Sequence, residues 1–359
     1  MINKKIIDNL KKWERGKTGP FRIQLNPTNR CNLECRFCWQ RTEEKIDYTE
    51  VSDQRYLDLI EEAGALNVRE IEITGGGEPL MRKDLVFKLM EKIKDNGMKG
   101  KLITNGTNLK ESDLRKIIKF GWDEIVFSVD GTGPTHEYLR RCKGCFKDTL
   151  SSMKKLNKLK NKLPEVTMHM VLCNQNYEEI ADSVKIANDV GCENFFIEPV
   201  VTLAFDTDLG KNLKMDKEEI KDSLGNIKKA KNLAEKLDIN HNFDSLHEEL
   251  IVKTNKMDKV IEKDSKNHSE SKESGLAGAA CYEPWYSMIV RPEGYVGPCC
   301  MFDNEGPNIK NKSLEGVWFG DYFERIRQNM LENKLLSFCS KCNPSQVHNN
   351  REIRKKLNG

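Results

Sequence analysis

The sequence predicts an α/β fold with a parallel sheet, because six short β-rich runs alternate with amphipathic helical segments between residues 21 and 200. Parallel strands joined by right-handed helical crossovers form either an open doubly wound sheet or a partial barrel, and periodicity does not separate the two. In both architectures the chemistry belongs at the carboxyl ends of the strands. The predicted strands are FRIQLN (21–26), EIEIT (70–74), KLITN (101–105), EIVFSV (124–129), VTMHMVL (166–172) and NFFIEPV (194–200).

Changes in composition divide the chain into four predicted segments. After the last predicted strand, a helix is expected from Asp216 to Leu237, opened by a capping box of Asp216 and Glu219. One amphipathic helix is expected near Leu314–Leu331. The segments are a helical extension (1–20), an α/β region with a trailing helix (21–250), a charged, Ser-rich linker or mobile loop (251–278) and a small C-terminal domain built from a β-hairpin and a helix (279–359).

The composition is that of a soluble globular protein. Of 359 residues, 38% are hydrophobic and 32% charged, and 59 basic against 56 acidic side chains leave a formal net charge of only +3. A net charge this close to zero does not indicate binding to nucleic acid or to an anionic membrane. We find no secretory signal and no membrane-length apolar stretch, so a cytoplasmic location is expected. In a reducing compartment, the 12 cysteines are expected to be metal ligands or core residues.

The first cysteine group follows the first predicted strand directly. Cys31, Cys35 and Cys38 have the spacing C-x3-C-x2-C. Three thiolates on one loop can hold three irons of a four-iron, four-sulfur cube and leave the fourth iron open to a small molecule. A zinc knuckle completed by a distant residue is the alternative.

At these residues the chain resembles the radical S-adenosylmethionine (SAM) superfamily, whose signature has an aromatic residue before the last cysteine, here Phe37. The resemblance implies a partial (β/α)6 barrel of the TIM type, with the three cysteines holding a [4Fe–4S] cluster. The second strand runs into TGGGEP, which resembles the family's GGEP motif. That motif implies that Gly76, Gly77 and Glu78 hold the amino group of SAM.

Other cofactor contacts are implied at the ends of later strands. Asn105 follows the third strand, and Ser128 and Asp130 lie at the end of the fourth. In the family, a serine in this position and an arginine about a dozen residues later, here Arg140, contact the ribose and carboxylate of SAM. Glu198 ends the sixth strand and is a candidate substrate or cofactor contact. A turn residue or a solvated arginine is the alternative explanation for these side chains.

A second cysteine group lies in the last 80 residues. A predicted hairpin brings Cys281 and Cys299 together, and Cys339-x2-Cys342 adds a chelating pair, so four thiolates can hold a cluster or zinc. With Gly294 in a G-x4-C pattern before Cys299, the segment resembles the SPASM/twitch extension of the same superfamily. The cysteine count supports one auxiliary [4Fe–4S] cluster, as in the shorter twitch version. Cys300 is a buried thiol or an alternative ligand.

The resemblance implies an enzyme that cleaves SAM reductively to a 5′-deoxyadenosyl radical, removes a substrate hydrogen atom and passes an electron to the auxiliary cluster. Our leading prediction is an oxidoreductase that oxidises a small alcohol or sugar. A flavodoxin- or ferredoxin-type protein is expected to supply electrons to the enzyme. The alternative is a peptide or protein maturase, and the distant alternative is a non-enzymatic zinc or electron-transfer scaffold. We assign no metal role to Cys142 and Cys145. His136 and His169 are candidate bases, and the alternative is the structural role that a lone histidine more often has.

Overall fold

A computed structural model describes residues 4–38, 40, 46–200, 210–254, 276–303, 305–342 and 344–358. Most of the predicted linker (251–278) lies outside the described residues, which lack 255–275.

All six predicted strands are confirmed, and three more extend the same sheet. The spatial order is β7-β6-β5-β4-β3-β2-β1-β8-β9, with every pair parallel except β8 and β9. The strands are β1 (Arg22–Leu25), β2 (Glu70–Ile73), β3 (Lys99–Thr104), β4 (Glu124–Ser128), β5 (Glu165–Leu172), β6 (Asn194–Pro199), β7 (Asn240–His241), β8 (Ser287–Val290) and β9 (Val296–Gly297).

Thirteen α-helices are formed by the described residues, each either too short or too polar to cross a bilayer. The expected capping box at Asp216 and Glu219 is present at the start of α8. The helices are α1 (Lys4–Trp13), α2 (Asp53–Ala65), α3 (Lys83–Asp95), α4 (Glu111–Lys119), α5 (Gly133–Arg140), α6 (Cys145–Leu159), α7 (Ile180–Val190), α8 (Lys217–Lys236), α9 (Phe243–Thr254), α10 (Glu283–Tyr286), α11 (Leu314–Trp318), α12 (Asp321–Leu331) and α13 (Pro344–Asn358).

The strand order decides between the two architectures that periodicity left open. Strands β1 to β6 follow one another in space as they do in sequence, without the reversal of a doubly wound sheet. Right-handed crossovers that always step the same way place the helices on one face, as in a barrel. Because the sheet ends at β7 and β9, the barrel is partial, and the resemblance predicted it correctly.

Alternate strand residues face opposite sides of this sheet. One set is apolar and packs against the helices, for example Ile71, Ile125 and Met168. The other set faces the inner side, which we call the lumen. Its floor is charged, since Lys101 Nζ lies 3.8 Å from Glu72 and 3.9 Å from Glu124.

The C-terminal cysteine segment is joined to the barrel sheet, a feature that the sequence did not reveal. Strand β8 pairs in parallel with β1, in the register Arg22↔Ser287 to Leu25↔Val290. The expected hairpin is confirmed, because β8 and β9 are antiparallel. The prediction of a single helix near 314–331 is wrong, because the chain forms two helices, α11 and α12, separated at Gly320. A Cβ atom on Gly320 would strike the carbonyl oxygen of Gly316.

The N-terminal helix completes the packing of this segment. Ile7 and Leu10 of α1 share a buried cluster with Trp285, Ile326 and Ile353 from the last 80 residues. The two ends of the described chain are therefore held against each other beside β1.

We expect Met288→Ala to destabilise the whole chain, because Met288 of β8 is fully buried in the core cluster of the barrel. The expected loss in the free energy of unfolding is about 2–5 kcal/mol, measured by urea denaturation. Met81, which is 42% exposed, gives the matched control Met81→Ala, expected to change stability by less than about 0.5 kcal/mol. Equal effects of the two substitutions would contradict the shared core.

Candidate active site

The first cysteine loop (residues 26–38) leaves the carboxyl end of β1, where the sequence predicted the chemistry. Cys35 is buried, Cys38 is partly buried and Cys31 is exposed. Burial raises the pKa of the Cys35 thiol to about 11, and the nearby Arg140 guanidinium opposes part of that rise. Burial also raises the pKa of Cys31. A metal that binds these thiols must therefore displace their protons.

Glycines of the TGGGEP loop allow it to pack directly on the first cysteine loop. A Cβ on Gly76 would strike the side-chain oxygen of Asn29, and a Cβ on Gly77 would strike the carbonyl of Arg30. The backbone N–H of Gly77 donates to the carbonyl of Thr28 at 2.8 Å. The structure thus gives a packing reason for both glycines, and their contact with SAM stays a prediction.

Glu78 joins the ends of β2 and β3 from a buried position. Its carboxylate accepts hydrogen bonds from the N–H of Leu80 (3.1 Å), the hydroxyl of Thr104 (2.7 Å) and the N–H of Asn105 (2.8 Å). Burial raises its pKa, and these donors partly oppose the rise. Three of about four acceptor positions are therefore used inside the protein. At most one acceptor position of Glu78 therefore remains for the predicted contact with the amino group of SAM.

Asn105 connects the end of β3 to the first cysteine loop. Its amide Nδ2 donates to Oδ1 of Asn32 at 2.9 Å, while its own Oδ1 accepts from the N–H of Thr107 at 3.0 Å. Asn105 is buried, so this network fixes the loop from the side of β3. Its contact with SAM stays a prediction.

Asp130 and Arg140 form a buried ion pair beside the cysteines. Arg140 Nε donates to Asp130 Oδ2 at 2.5 Å, and the Arg140 guanidinium lies 5.3 Å from the ring centre of Phe37 and 3.8 Å from Cys35 Sγ. Asp130 is fully buried and also accepts from the N–H of Val171. Arg140 is therefore not a solvated arginine, and it places a positive charge next to the predicted cluster.

Ser128 and Glu198 lie on the lumen side of the sheet, near the mouth that the cysteine loop borders. Ser128 is the last residue of β4 and is paired in register with His169 of β5. Glu198 of β6 is paired with Val171, two residues beyond His169. The sequence did not indicate that His169 and Glu198 would be neighbours, because 29 positions separate them.

The second cysteine group lines one cavity, which we call the auxiliary cavity. All four predicted ligands and Cys300 line it, together with apolar residues such as Ile326, Met330 and Leu336. Its volume is about 100 Å³, several times what one water needs. The predicted ligands are Cys281, Cys299, Cys339 and Cys342.

The donor set of the auxiliary cavity fits an iron–sulfur cluster. Four or five sulfur donors around an otherwise mostly apolar space are the ligands that such clusters take. Burial raises the pKa of all four predicted ligands, to about 12 for Cys342, and nearby cysteines and the buried Glu283 add to the rise at Cys281, Cys299 and Cys342. None of the 12 cysteines, all within the described residues, forms a disulfide.

Two contacts of the β8–β9 hairpin turn, one with the first cysteine loop and one with Val51 before α2, were missed by sequence analysis. Asn29 in the first cysteine loop donates to the carboxylate of Glu293, in the turn of the β8–β9 hairpin. In addition, the N–H of Val51 donates to the carbonyl of Pro292 at 2.8 Å. No local pattern signals an interaction between residues 264 positions apart.

Cys142 and Cys145 lie between α5 and α6, where the Cys145 thiol donates to the carbonyl of Cys142 at 2.8 Å. Among the described residues, no three His, Cys, Asp or Glu side chains are grouped as a single metal ion would require. Our assignment of no metal role to this pair stays a prediction.

Comparisons with known proteins give the class. The profile of the radical SAM superfamily matches residues 25–187, which contain the last residue of β1, the first cysteine loop and all of β2 to β5. The chain therefore belongs to the radical SAM superfamily. Residues 281–343 match the SPASM iron–sulfur cluster-binding domain, which places the chain among the superfamily members that carry this extension. Its cofactors are accordingly SAM and [4Fe–4S] clusters.

Three similar proteins illustrate the range of relatives. Pre-heme d1 synthase of Dinoroseobacter shibae is 28% identical over 188 residues, 52% of this chain and 45% of that protein. Sporulation killing factor maturation protein SkfB of Bacillus subtilis is 25% identical over 301 residues, 83% of this chain and 64% of that protein. The chain thus spans about half to two thirds of these relatives' lengths. A structure of Streptococcus suis SuiB with bound SAM has the same fold, with a TM-score of 0.67 at 17% identity, over 96% of this chain and 75% of that one.

We expect Arg140→Met to destabilise the chain by about 3–5 kcal/mol, because it leaves the Asp130 carboxylate buried without its partner. The double variant Arg140→Met/Asp130→Asn should recover at least half of that loss. The neighbouring Arg141 supplies the control: it pairs with Glu34 at the surface, so Arg141→Met should cost less than about 1 kcal/mol. Urea denaturation measures all three, and equal losses at positions 140 and 141 would refute the buried pair.

Proposed function

We propose that this chain is a peptide maturase, which removes a hydrogen atom from a precursor peptide and forms a new bond within it. The breadth of the match to SkfB supports this most, since it covers 83% of the chain against 52% for the heme-pathway relative. A structure titled SuiB bound to precursor peptide SuiA shares the fold, with a TM-score of 0.66. Our expectation of a small alcohol or sugar as substrate finds no comparable support in these relatives, so the alternative replaces it.

We propose that Cys31, Cys35 and Cys38 hold the SAM-binding cluster and that Cys281, Cys299, Cys339 and Cys342 hold one auxiliary cluster. When bound, a reduced cluster and SAM supply a 5′-deoxyadenosyl radical, which can remove a hydrogen atom from an unactivated C–H bond. The chain orients the reactants. Arg140 fixes the first cysteine loop from one side, and Glu78 and Asn105 brace it from the other. The donor of electrons in this proposal is a flavodoxin- or ferredoxin-type protein.

Substitutions in the two cysteine groups should have different effects on iron content and on cleavage of SAM. Anaerobic reconstitution of the unmodified chain is expected to give about eight irons per chain. Replacing Cys31, Cys35 and Cys38 by Ala should remove about four irons and abolish formation of 5′-deoxyadenosine with dithionite. Replacing Cys281 and Cys342 by Ala should remove about four irons but leave cleavage of SAM measurable.

Cys192→Ala provides the control, because Cys192 is a buried core thiol outside both groups. It should retain all the iron and full 5′-deoxyadenosine formation. Tightly bound zinc with no cleavage of SAM would instead refute the assignment of both sites.

Peptide maturation itself is testable with synthetic peptides that match short reading frames beside the gene. We expect one of them to lose two hydrogen atoms per 5′-deoxyadenosine formed, as judged by mass spectrometry, because the new bond replaces two bonds to hydrogen. Iron coproporphyrin III and a panel of sugars and alcohols serve as competing substrates. Turnover of one of those compounds with no change in any peptide would overturn the peptide assignment.

A further inference from the structure

A histidine and a glutamate face each other at the mouth of the lumen. His169 lies on the lumen side of β5, since its neighbours Met168 and Met170 are fully buried in the core. Its Nε2 lies 3.8 Å from Oε2 of Glu198 on β6, and the two side chains are 24% and 47% exposed. Both groups can therefore meet a molecule that enters the lumen.

The pair lies beside the first cysteine loop. Val171, next along the same face of β5, packs in one small apolar cluster with Phe37 of the first cysteine loop. Cys300 of the auxiliary cavity is an exposed residue.

Among the described residues, Glu72, Lys101 and Glu124 also face the lumen, and they lie too deep to reach the same substrate atoms. Glu124 precedes Ser128 on β4 by four residues, which places it roughly 13 Å below the level of His169. Lys101 is already near both Glu72 and Glu124. His136, the other candidate base, is 1% exposed and accepts a hydrogen bond from the N–H of Asp130, so its role is structural.

We propose that His169 accepts the proton that the substrate must lose when its new bond forms, and that Glu198 is a positioning residue that orients the imidazole and stabilises its charged form. The inference rests on the proposed function. Forming C–X from C–H and X–H removes one hydrogen atom, one proton and one electron. The hydrogen atom would go to the nucleoside radical derived from SAM, the electron to the auxiliary cluster, and the proton to Nδ1 of His169, because Nε2 faces Glu198. The X–H group is thus a protic side chain or amide of the peptide.

The first test needs no substrate. Diethyl pyrocarbonate labels accessible neutral imidazoles, and mass spectrometry locates the label in the chain before cluster reconstitution. His169 should be labelled at a rate similar to His348, which is 25% exposed and also lies beside a glutamate, Glu248. His136 should remain unlabelled. Protection of His169 equal to that of His136 would overturn the proposal, because the imidazole could not then meet a substrate.

The second test measures coupling in the reconstituted enzyme with the peptide that it modifies. In His169→Gln, the ratio of modified peptide to 5′-deoxyadenosine should fall on the order of 100-fold, the usual scale of general-base catalysis. Glu198→Gln should lower the same ratio by a smaller factor. Imidazole added to His169→Gly should restore part of it. Electron paramagnetic resonance should show a substrate-centred radical that accumulates in His169→Gln.

His348→Gln and Glu248→Gln form the matched control and should leave the ratio unchanged. An unchanged ratio in His169→Gln would refute the proposal. If His169→Gln loses 5′-deoxyadenosine and modified peptide in the same proportion, the proposal is also refuted, because His169 and Glu198 would then act on binding or cleavage of SAM. If the unmodified enzyme forms no 5′-deoxyadenosine or alters no peptide, it is the proposed function that fails, and the labelling experiment still decides whether His169 faces an accessible site.

Discussion

The pairing of β1 on both of its edges is the constraint on which the rest of the structure depends. On one side β1 is hydrogen-bonded to β2, which leads into the TGGGEP loop, and on the other to β8, which leads into the auxiliary hairpin. All three strands run in the same direction, so their following loops meet at one end of the sheet. The first cysteine loop is therefore held between two loops that approach from opposite edges.

The contacts between these loops are mostly buried and polar, which makes the arrangement specific. Glu78, Asp130 and Asn105 are all buried, and each is hydrogen-bonded to a neighbouring strand or loop. A buried polar group without a partner costs about 1–3 kcal/mol, so small displacements of one loop are penalised by several groups at once. Such a frame is suited to chemistry that needs reactants held in fixed positions.

The shared sheet also relates the two cysteine sites to each other. The β8–β9 hairpin belongs to the barrel sheet, and its turn contacts the first cysteine loop through Glu293 and Asn29. The auxiliary cavity thus cannot move as an independent unit without breaking strand pairs of β1. For a reaction that removes a hydrogen atom at one site and an electron at another, this fixed relation keeps the second step close to the first.

The sequence by itself determined the six barrel strands and which cysteines are candidate ligands. Strong periodicity specified the six barrel strands, and the spacing of Cys31, Cys35 and Cys38 specified an incomplete metal site, because both signals are carried by residues close together in the chain. Only the tertiary structure decided that β8 joins β1, that Arg140 is buried against Asp130, and that His169 faces Glu198. These features depend on contacts between residues 10 to 265 positions apart, and no local pattern encodes which distant strands become neighbours. Gly320 marks the opposite case, in which a local signal was present and hydrophobic periodicity alone concealed a helix break.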